Sequence, residues 1–190
     1  RSELARYELH EVPLDACVAD TQGAIGYALQ QNIDNDLRRA GIEREVATVV
    51  TQVEVDPHDP AFLNPAKPIG LFFSEEEAAE RRSVDGWDVR EDAGRGWRRV
   101  VASPHPLRII ELGVVKTLID AGVIVITVGG GGIPVVSDEH GNLKGVPAVI
   151  DKDHASALLA GLISADMFLI STAVEKVALN WGTADQRFVD

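Results

Sequence analysis

The stretch Val123-Ile-Val-Ile-Thr-Val-Gly-Gly-Gly-Gly-Ile-Pro134 decides the fold class of this 190-residue chain. It opens with a strongly apolar run, which is typical of a parallel strand covered on both faces. Open α/β sheets bind ligands at the carboxyl ends of their strands, and glycine lets backbone N–H groups approach a phosphate closely. The stretch therefore predicts a buried strand that ends in a ligand-binding segment formed by Gly129, Gly130, Gly131 and Gly132.

These glycines, which we call the glycine segment, allow two interpretations. A tight turn also tolerates glycine, and that structural explanation stays open. Four in succession at the end of a strand are more than a turn requires, so the sequence favours the ligand site. The segment is not a Walker A motif, because no Gly-Lys-Ser or Gly-Lys-Thr follows it.

On both sides of this stretch the chain alternates between helical and strand-like patterns. The spacing of apolar residues predicts helices over 13–40, 106–121 and 153–165. Apolar or β-branched runs predict strands over 46–55, 123–128 and 167–171, and the residues 138–142 carry a hairpin signal. This alternation predicts an α/β domain with a mostly parallel sheet.

Residues 57–104 break the alternation. The entry over 56–70 carries four prolines, each of which moves the preceding residue away from helical conformation. Ser74 followed by three glutamates predicts a capping box and a short helix, and the segments Trp87–Arg90 and Trp97–Val101 can pair as strands. The segment is too long for a plain connection, so it predicts an excursion from the main sheet.

Composition limits the function classes. The formal charge of −12 argues against non-specific binding to nucleic acid or to an anionic membrane surface. Cys17 is the single cysteine, which excludes an internal disulfide and favours a reducing compartment. No apolar run approaches the roughly 20 residues of a membrane span, and the first residues lack the layout of a signal peptide. The expected location is the cytoplasm.

Two lysines occur where phosphoryl-transfer chemistry would need them. Lys152 lies between Asp151 and Asp153, in a connection from a strand to a helix, and Lys67 lies between two prolines on a stiffened backbone. Phosphoryl transfer spreads negative charge that a positioned ammonium neutralises. The alternatives are that Asp153 caps the helix and that Lys152 is a solvated surface group.

Other chemistries find little support. The five histidines are scattered without metal-ligand spacing, and one cysteine cannot build a zinc site. No serine or threonine has a Gly-x-Ser-x-Gly context. The sequence therefore predicts no protein-held metal site and no acyl transfer.

Several blocks of the sequence, taken in order, resemble carbamate kinases over residues 10–186. The blocks are Pro13-Leu-Asp-Ala-Cys-Val-Ala-Asp-Thr-Gln-Gly-Ala-Ile-Gly-Tyr27, Val50-Thr-Gln-Val53 with Asp56-Pro57, Asn64-Pro65 with Lys67-Pro-Ile-Gly70, Glu91-Asp-Ala-Gly-Arg-Gly-Trp-Arg-Arg-Val-Val101, Gly129-Gly-Gly-Gly-Ile-Pro134 and Val149-Ile-Asp-Lys-Asp153. The long blocks around Lys67 and Glu91 separate this family from other amino-acid kinases.

The resemblance implies a three-layer αβα sandwich whose open, mostly parallel sheet carries a small protruding subdomain, placed here at 57–104. It implies reversible phosphoryl transfer between ATP and carbamate, giving ADP and carbamoyl phosphate, with Mg²⁺. In fermenting microbes such enzymes usually form ATP as the last step of arginine breakdown. A homodimer is also implied.

Carried over position by position, the resemblance assigns roles to single residues. Lys67 would reach the transferred phosphoryl group, Lys152 would bind the nucleotide phosphates, and Asp151 would organise the lysines. The glycine segment would line the substrate side. The remaining residues would border the nucleotide, and they are Asp153, Thr172, Ala173, Val174 and Trp181.

The chain also departs from the family pattern. The family begins with a strand and a Gly-Gly-Asn loop followed by a His-Gly-Asn-Gly-Pro segment, and it continues to a further phosphate-binding lysine; this sequence contains none of these. We therefore expect a central segment of the enzyme that is inactive by itself. The rival hypotheses are a kinase for a different small acid and a non-catalytic protein, either a pseudoenzyme or a dimerisation unit.

Overall fold

The computed structural model describes residues 12–172, 176–180 and 182–189. Within them the helices are α1 (Leu14–Arg39), α2 (Glu75–Asp85), α3 (Leu112–Asp120) and α4 (Lys152–Leu162). The strands are β1 (Val46–Thr48), β2 (Gln52–Val55), β3 (Lys67–Phe73), β4 (Val89–Glu91), β5 (Trp97–Val101), β6 (Pro106–Ile109), β7 (Ile124–Ile126), β8 (Ile133–Ser137), β9 (Leu143–Gly145), β10 (Ala178–Leu179) and β11 (Arg187–Phe188). Short 3₁₀ turns occupy Pro60–Phe62 and Gly129–Gly131.

Two parallel strand pairs form the centre of the fold. β1 pairs with β7, and β2 pairs with β8. The two pairs lie end to end along the chain, because β1 leads into β2 through 49–51 and β7 leads into β8 through the glycine segment. Antiparallel strands flank the second pair, in the order β6-β2-β8-β9. The hairpin predicted at 138–142 is the β8–β9 connection.

Helices pack against these strands as the α/β class requires. Gly26 of α1 lies so close to the Thr48 side chain that a β-carbon would collide with it, so this glycine permits the close approach of α1 to β1. α4 packs against β6 and the turn Gly129–Gly131, and its Ala155 joins Val53, Ile109 and Ile150 in a buried cluster. The predicted α/β fold is confirmed, and the arrangement is consistent with an αβα sandwich.

A second sheet, in the order β3-β5-β4, lies together with α2 inside residues 57–104. The predicted capping box is present, since Ser74 Oγ accepts a hydrogen bond from Glu77 N and Glu77 Oε2 accepts one from Ser74 N. Few apolar side chains in this unit are buried, and arginines lie over its aromatic rings instead. Arg99 lies 4.4 Å from the Trp87 ring centroid and Arg82 lies 4.7 Å from that of Trp97. That the unit is a protruding subdomain stays a prediction.

Three segments differ from the predicted elements. The strand predicted over 46–55 is interrupted at 49–51. There the side chain of Gln22 in α1 forms hydrogen bonds with the backbone N–H and carbonyl of Thr51. The helix predicted over 106–121 begins only at Leu112, because 106–109 pair with β2 and the Glu111 carboxylate accepts hydrogen bonds from Gln52. Residues 67–73 form a strand despite Pro68, which is tolerated because β3 is an edge strand.

The strand predicted over 167–171 is wrong. These residues have no regular secondary structure, and Met167 and Leu169 are 79% and 82% exposed. A strand needs a hydrogen-bonding partner, and none of the strands in the described ranges lies beside this run. An apolar run alone does not reveal whether such a partner exists. None of the helices in the described part is both long and apolar enough to cross a membrane.

Candidate functional site

Lys67 and Asp151 meet at one place, although they are far apart in the sequence. Lys67 Nζ donates a hydrogen bond to Asp151 Oδ2 at 2.7 Å. Lys67 is the first residue of β3, and Asp151 is the residue that precedes α4. A backbone hydrogen bond supports this contact, since Val149 N donates to Ala102 O at 3.0 Å. This bond joins the end of the second sheet to the segment that enters α4.

Asp151 also caps α4. Its Oδ1 accepts hydrogen bonds from the backbone N–H groups of Asp153 at 2.9 Å and His154 at 3.3 Å. One carboxylate therefore holds the start of the helix and the Lys67 ammonium at the same time. The hydrogen bond from Lys67 is the main reason that the pKa of Asp151 falls from 3.8 to about 2; the two helix amides add to this, and partial burial opposes it.

The pair is only partly shielded from water. The side chains of Lys67 and Asp151 are 30% and 32% exposed, so a ligand has access to both. The carboxylate fixes the direction of the ammonium without enclosing it. A lysine held in this way can offer its remaining N–H donors to an anionic group.

The glycine segment lies against the residue that precedes Asp151. A β-carbon on Gly131 would collide with the Ile150 carbonyl, and one on Gly132 would collide with Val53. Both residues also have positive φ, 102° and 88°. Packing therefore explains these two glycines by itself. Gly130 has positive φ, is exposed and faces open space, so it leaves room for a ligand.

A buried polar group that the sequence analysis did not single out holds the other side of this segment. Gln22 of α1 and Thr51 are 5% and 0% exposed and form hydrogen bonds with each other. Thr51 Oγ1 also accepts a hydrogen bond from Val128 N, immediately before the glycines. The sequence offered little signal for this arrangement, because a single Gln in a helix and a single Thr in an apolar strand are common.

Lys152 does not join the Lys67–Asp151 pair in the structure. Its side chain is 69% exposed, and its Nζ lies 3.6 Å from Asp153 Oδ1 on the surface. Asp153 is itself 53% exposed, and it is Asp151, not Asp153, that caps the helix. The predicted roles of Lys152 and Asp153 toward a nucleotide stay predictions.

The other predicted nucleotide residues belong to the end of the chain. Thr172 is exposed. Ala173, Val174 and Trp181 lie outside the described residues. Within the described ranges, no group of three or more His, Cys, Asp or Glu side chains could hold a metal ion.

Comparison with known proteins gives consistent results. A model of the amino acid kinase family matches residues 74–188. The carbamate kinase-like protein YqeA of Escherichia coli (strain K12) is 57% identical over 188 residues, which are 98% of this chain and 60% of that protein. The carbamate kinase of Thermococcus kodakarensis is 50% identical over 183 residues, which are 96% of this chain and 58% of that protein.

A solved structure shows the same architecture. The carbamate kinase from Giardia lamblia bound to AMP-PNP matches with a TM-score of 0.84 at 44% sequence identity, covering 99% of this chain and 60% of that one. The chain thus spans about three fifths of the length of these proteins.

Proposed function

The chain belongs to the amino acid kinase family, and from this premise we propose that the full-length protein is a carbamate kinase. The proposed reaction is reversible phosphoryl transfer between ATP and carbamate. The observation that supports the proposal is the bond between Lys67 Nζ and Asp151 Oδ2, since Asp151 follows Ile150, whose carbonyl lies against Gly131. The relatives named carbamate kinase support this choice of substrate.

In the ATP-forming direction, a β-phosphate oxygen of ADP attacks the phosphorus of carbamoyl phosphate. The bond from phosphorus to the carbamate oxygen breaks, and carbamate leaves with the bonding electrons. Lys67 faces the transferred group and stabilises the negative charge on its oxygens, and Asp151 keeps the ammonium pointed there. The N–H groups around Gly129 and Gly130 would bind the carbamoyl side, and Lys152 would bind the nucleotide phosphates.

The residues present fit a magnesium ion that is carried by the nucleotide. Mg²⁺ keeps several waters and is bound by one or two carboxylates together with substrate phosphates. Asp151 is occupied by Lys67 and two helix amides, so the exposed Asp153, which lies 3.6 Å from Lys152 Nζ, is the carboxylate of α4 that would hold the ion. When bound, the ion neutralises charge on the phosphate oxygens. We also propose a homodimer that works in the cytoplasm and forms ATP during arginine breakdown.

An assay of ATP formation from ADP and carbamoyl phosphate by the full-length protein tests the function. Turnover with carbamoyl phosphate, and at least about tenfold less with other acyl phosphates such as acetyl phosphate, is the expected result. A preference for another acyl phosphate would favour the kinase for a different small acid. Absence of turnover with every acyl phosphate would favour a non-catalytic protein. The same assay on the 190-residue segment alone is expected to give no turnover.

We further predict that residues 57–104 move as a unit relative to the main sheet when substrates bind. The second sheet has its own helix, and it is linked to the start of α4 by the partly exposed Lys67–Asp151 pair and by the backbone bond from Val149 N to Ala102 O. Carbamate and carbamoyl phosphate are labile in water, so closing over the site protects them. Hydrogen exchange with and without nucleotide should change more in 57–104 than in β7. Equal changes in both regions would rule out a lid.

A further inference from the structure

We infer that Thr51 and Gln22 are positioning residues, which set the backbone of the glycine segment and so determine how the acyl-phosphate substrate is held. The inference rests on the proposed function. It concerns residues that neither touch the Lys67–Asp151 pair nor carry a charge, and it is argued from a group of buried hydrogen bonds at the point where α1, the break between β1 and β2, and β7 meet.

The side-chain amide of Gln22 bonds both backbone groups of Thr51, as the backbone of a neighbouring strand would. Its Nε2 donates to Thr51 O at 3.0 Å, and its Oε1 accepts from Thr51 N at 2.7 Å. Thr51 O also accepts a hydrogen bond from Ile133 N, the residue that follows the glycine segment, at 2.8 Å. The helix side chain therefore fixes the backbone to which the far end of the segment is attached.

The Thr51 hydroxyl fixes the near end. It has one proton and two lone pairs. Its proton goes to Val49 O at 2.8 Å, so the 2.6 Å contact with Thr127 is one in which Thr127 Oγ1 donates. The remaining lone pair accepts from Val128 N at 3.0 Å. All the hydrogen-bonding capacity of this hydroxyl is used inside the protein. The hydroxyl bonds both Thr127 and Val128, the two residues that precede the glycines.

The conformation held in this way is unusual. Val128 has a φ of 54°, in the left-handed region that β-branched residues rarely adopt. Such a residue persists only where its surroundings impose it. Here the surroundings include the hydrogen bond from Val128 N to Thr51 Oγ1 and the burial of the Val128 side chain in the core cluster with Val53. The left-handed residue turns the chain out of β7 and into the glycine segment.

The segment is therefore held from two sides. Gly129 faces Gln22, since a β-carbon there would lie 3.2 Å from Gln22 Cγ, and Gly131 faces the Ile150 carbonyl next to Asp151. A β-carbon added to Gly130 between them would meet no other atom within 4 Å. A shift at Thr51 would thus move the exposed N–H groups relative to the lysine, and misplacement by about 1 Å can lower a rate by about 10²-fold.

The test compares Thr51→Val, which keeps the shape and removes the hydroxyl, with Thr51→Ser, which keeps the hydroxyl. In the full-length protein Thr51→Val should raise the KM for carbamoyl phosphate about tenfold or more and change the KM for ADP less than about twofold. Thr51→Ser should restore both to near wild type. Thr127→Val should have a smaller effect, because it leaves the Val128 bond in place. Thr117→Val is the matched control, since its hydroxyl bonds only within α3 at Gly113 O.

A second measurement works even if the wild type turns over no carbamoyl phosphate, which would refute the proposed function but still leave the positioning of the glycine segment by Thr51 and Gln22 to be tested. Hydrogen exchange of Val128 N–H should be at least about tenfold faster in Thr51→Val and normal in Thr51→Ser. Gln22→Met loses both bonds that hold the Thr51 backbone but keeps the Thr51 hydroxyl, so it should also speed exchange at Val128, by a smaller factor, and it serves as the test if Thr51→Val does not fold. Wild-type exchange at Val128 in both variants would overturn the inference. So would equal rises in both KM values.

Discussion

Replacing Lys67 by alanine in the full-length protein is expected to lower kcat for ADP phosphorylation by carbamoyl phosphate by about 10²-fold or more. This corresponds to about 3 kcal/mol of lost transition-state stabilisation. The physical reason is that Lys67 supplies the ammonium that Asp151 directs from 2.7 Å. Without it, negative charge that develops on the transferred group has no positioned partner on this side of the site.

Steady-state kinetics decide the matter, with Lys116→Ala as the matched control because that exposed lysine lies on α3. Lys152→Ala is predicted to cause a loss of similar size, on the basis of the family resemblance. Its exposed position beside Asp153 makes it the stricter test, since the structure does not direct it toward Lys67. Near-normal kcat in both the Lys67 and Lys152 variants would contradict the assignment of these two lysines to phosphoryl transfer.

Replacing Asp151 is expected to reduce activity as strongly and stability as well. Asparagine keeps an oxygen that can cap α4 but loses the charge that holds Lys67. Asp151→Asn should therefore lower kcat by about 10²-fold and lose the stability that comes from the carboxylate charge, while keeping the cap. Asp151→Ala also loses the cap, which typically costs an additional 0.5–2 kcal/mol, about 1 in most cases. Thermal or urea unfolding separates the two variants, and equal stability would contradict the capping role.

The lowered pKa of Asp151 predicts that the difference in stability between the wild type and Asp151→Asn depends on pH. Its folded-state pKa of about 2 lies below the ordinary value of 3.8, so the charged form is favoured by folding. The resulting stability is fully present above about pH 4 and is lost as the pH falls toward 2. The stability advantage of the wild type over Asp151→Asn should accordingly be constant from pH 7 to pH 5 and shrink below pH 4. A stability advantage that stays constant from about pH 7 down to about pH 2 would show that the carboxylate charge contributes nothing.

Sequence reasoning predicted the parts of the molecule that depend on local rules. The capping box at Ser74 follows from residue types at fixed spacing, and both of its hydrogen bonds are present. The β4–β5 and β8–β9 hairpins follow from short strand patterns around polar turns. Periodicity located α1 and α4 to within a few residues, because each has apolar residues at helical spacing.

Elements that depend on contacts with residues far away in the sequence could not be predicted from local patterns. Residues 106–109 look helical by spacing, but they pair with β2 because Ile109 is buried opposite Val53. The run 167–171 looks like a buried strand, yet it is exposed in the structure. The same limit applies to the site: the residue types at Lys67 and Asp151 suggested phosphate chemistry, but their contact and the Gln22–Thr51 group are tertiary.

The bond between Lys67 and Asp151 also has a consequence for folding kinetics. It joins residues 84 positions apart, so it closes a long loop and cannot form until the chain has been synthesised past the start of α4. The β3–β5 ladder pairs Lys67 with Val101, a shorter separation, and can form first. Each doubling of loop length costs about 0.6 kcal/mol of closure entropy, so prior pairing of this sheet lowers the entropic barrier to bringing lysine and carboxylate together. Pairing of the second sheet is therefore expected to precede the contact on which the proposed site depends.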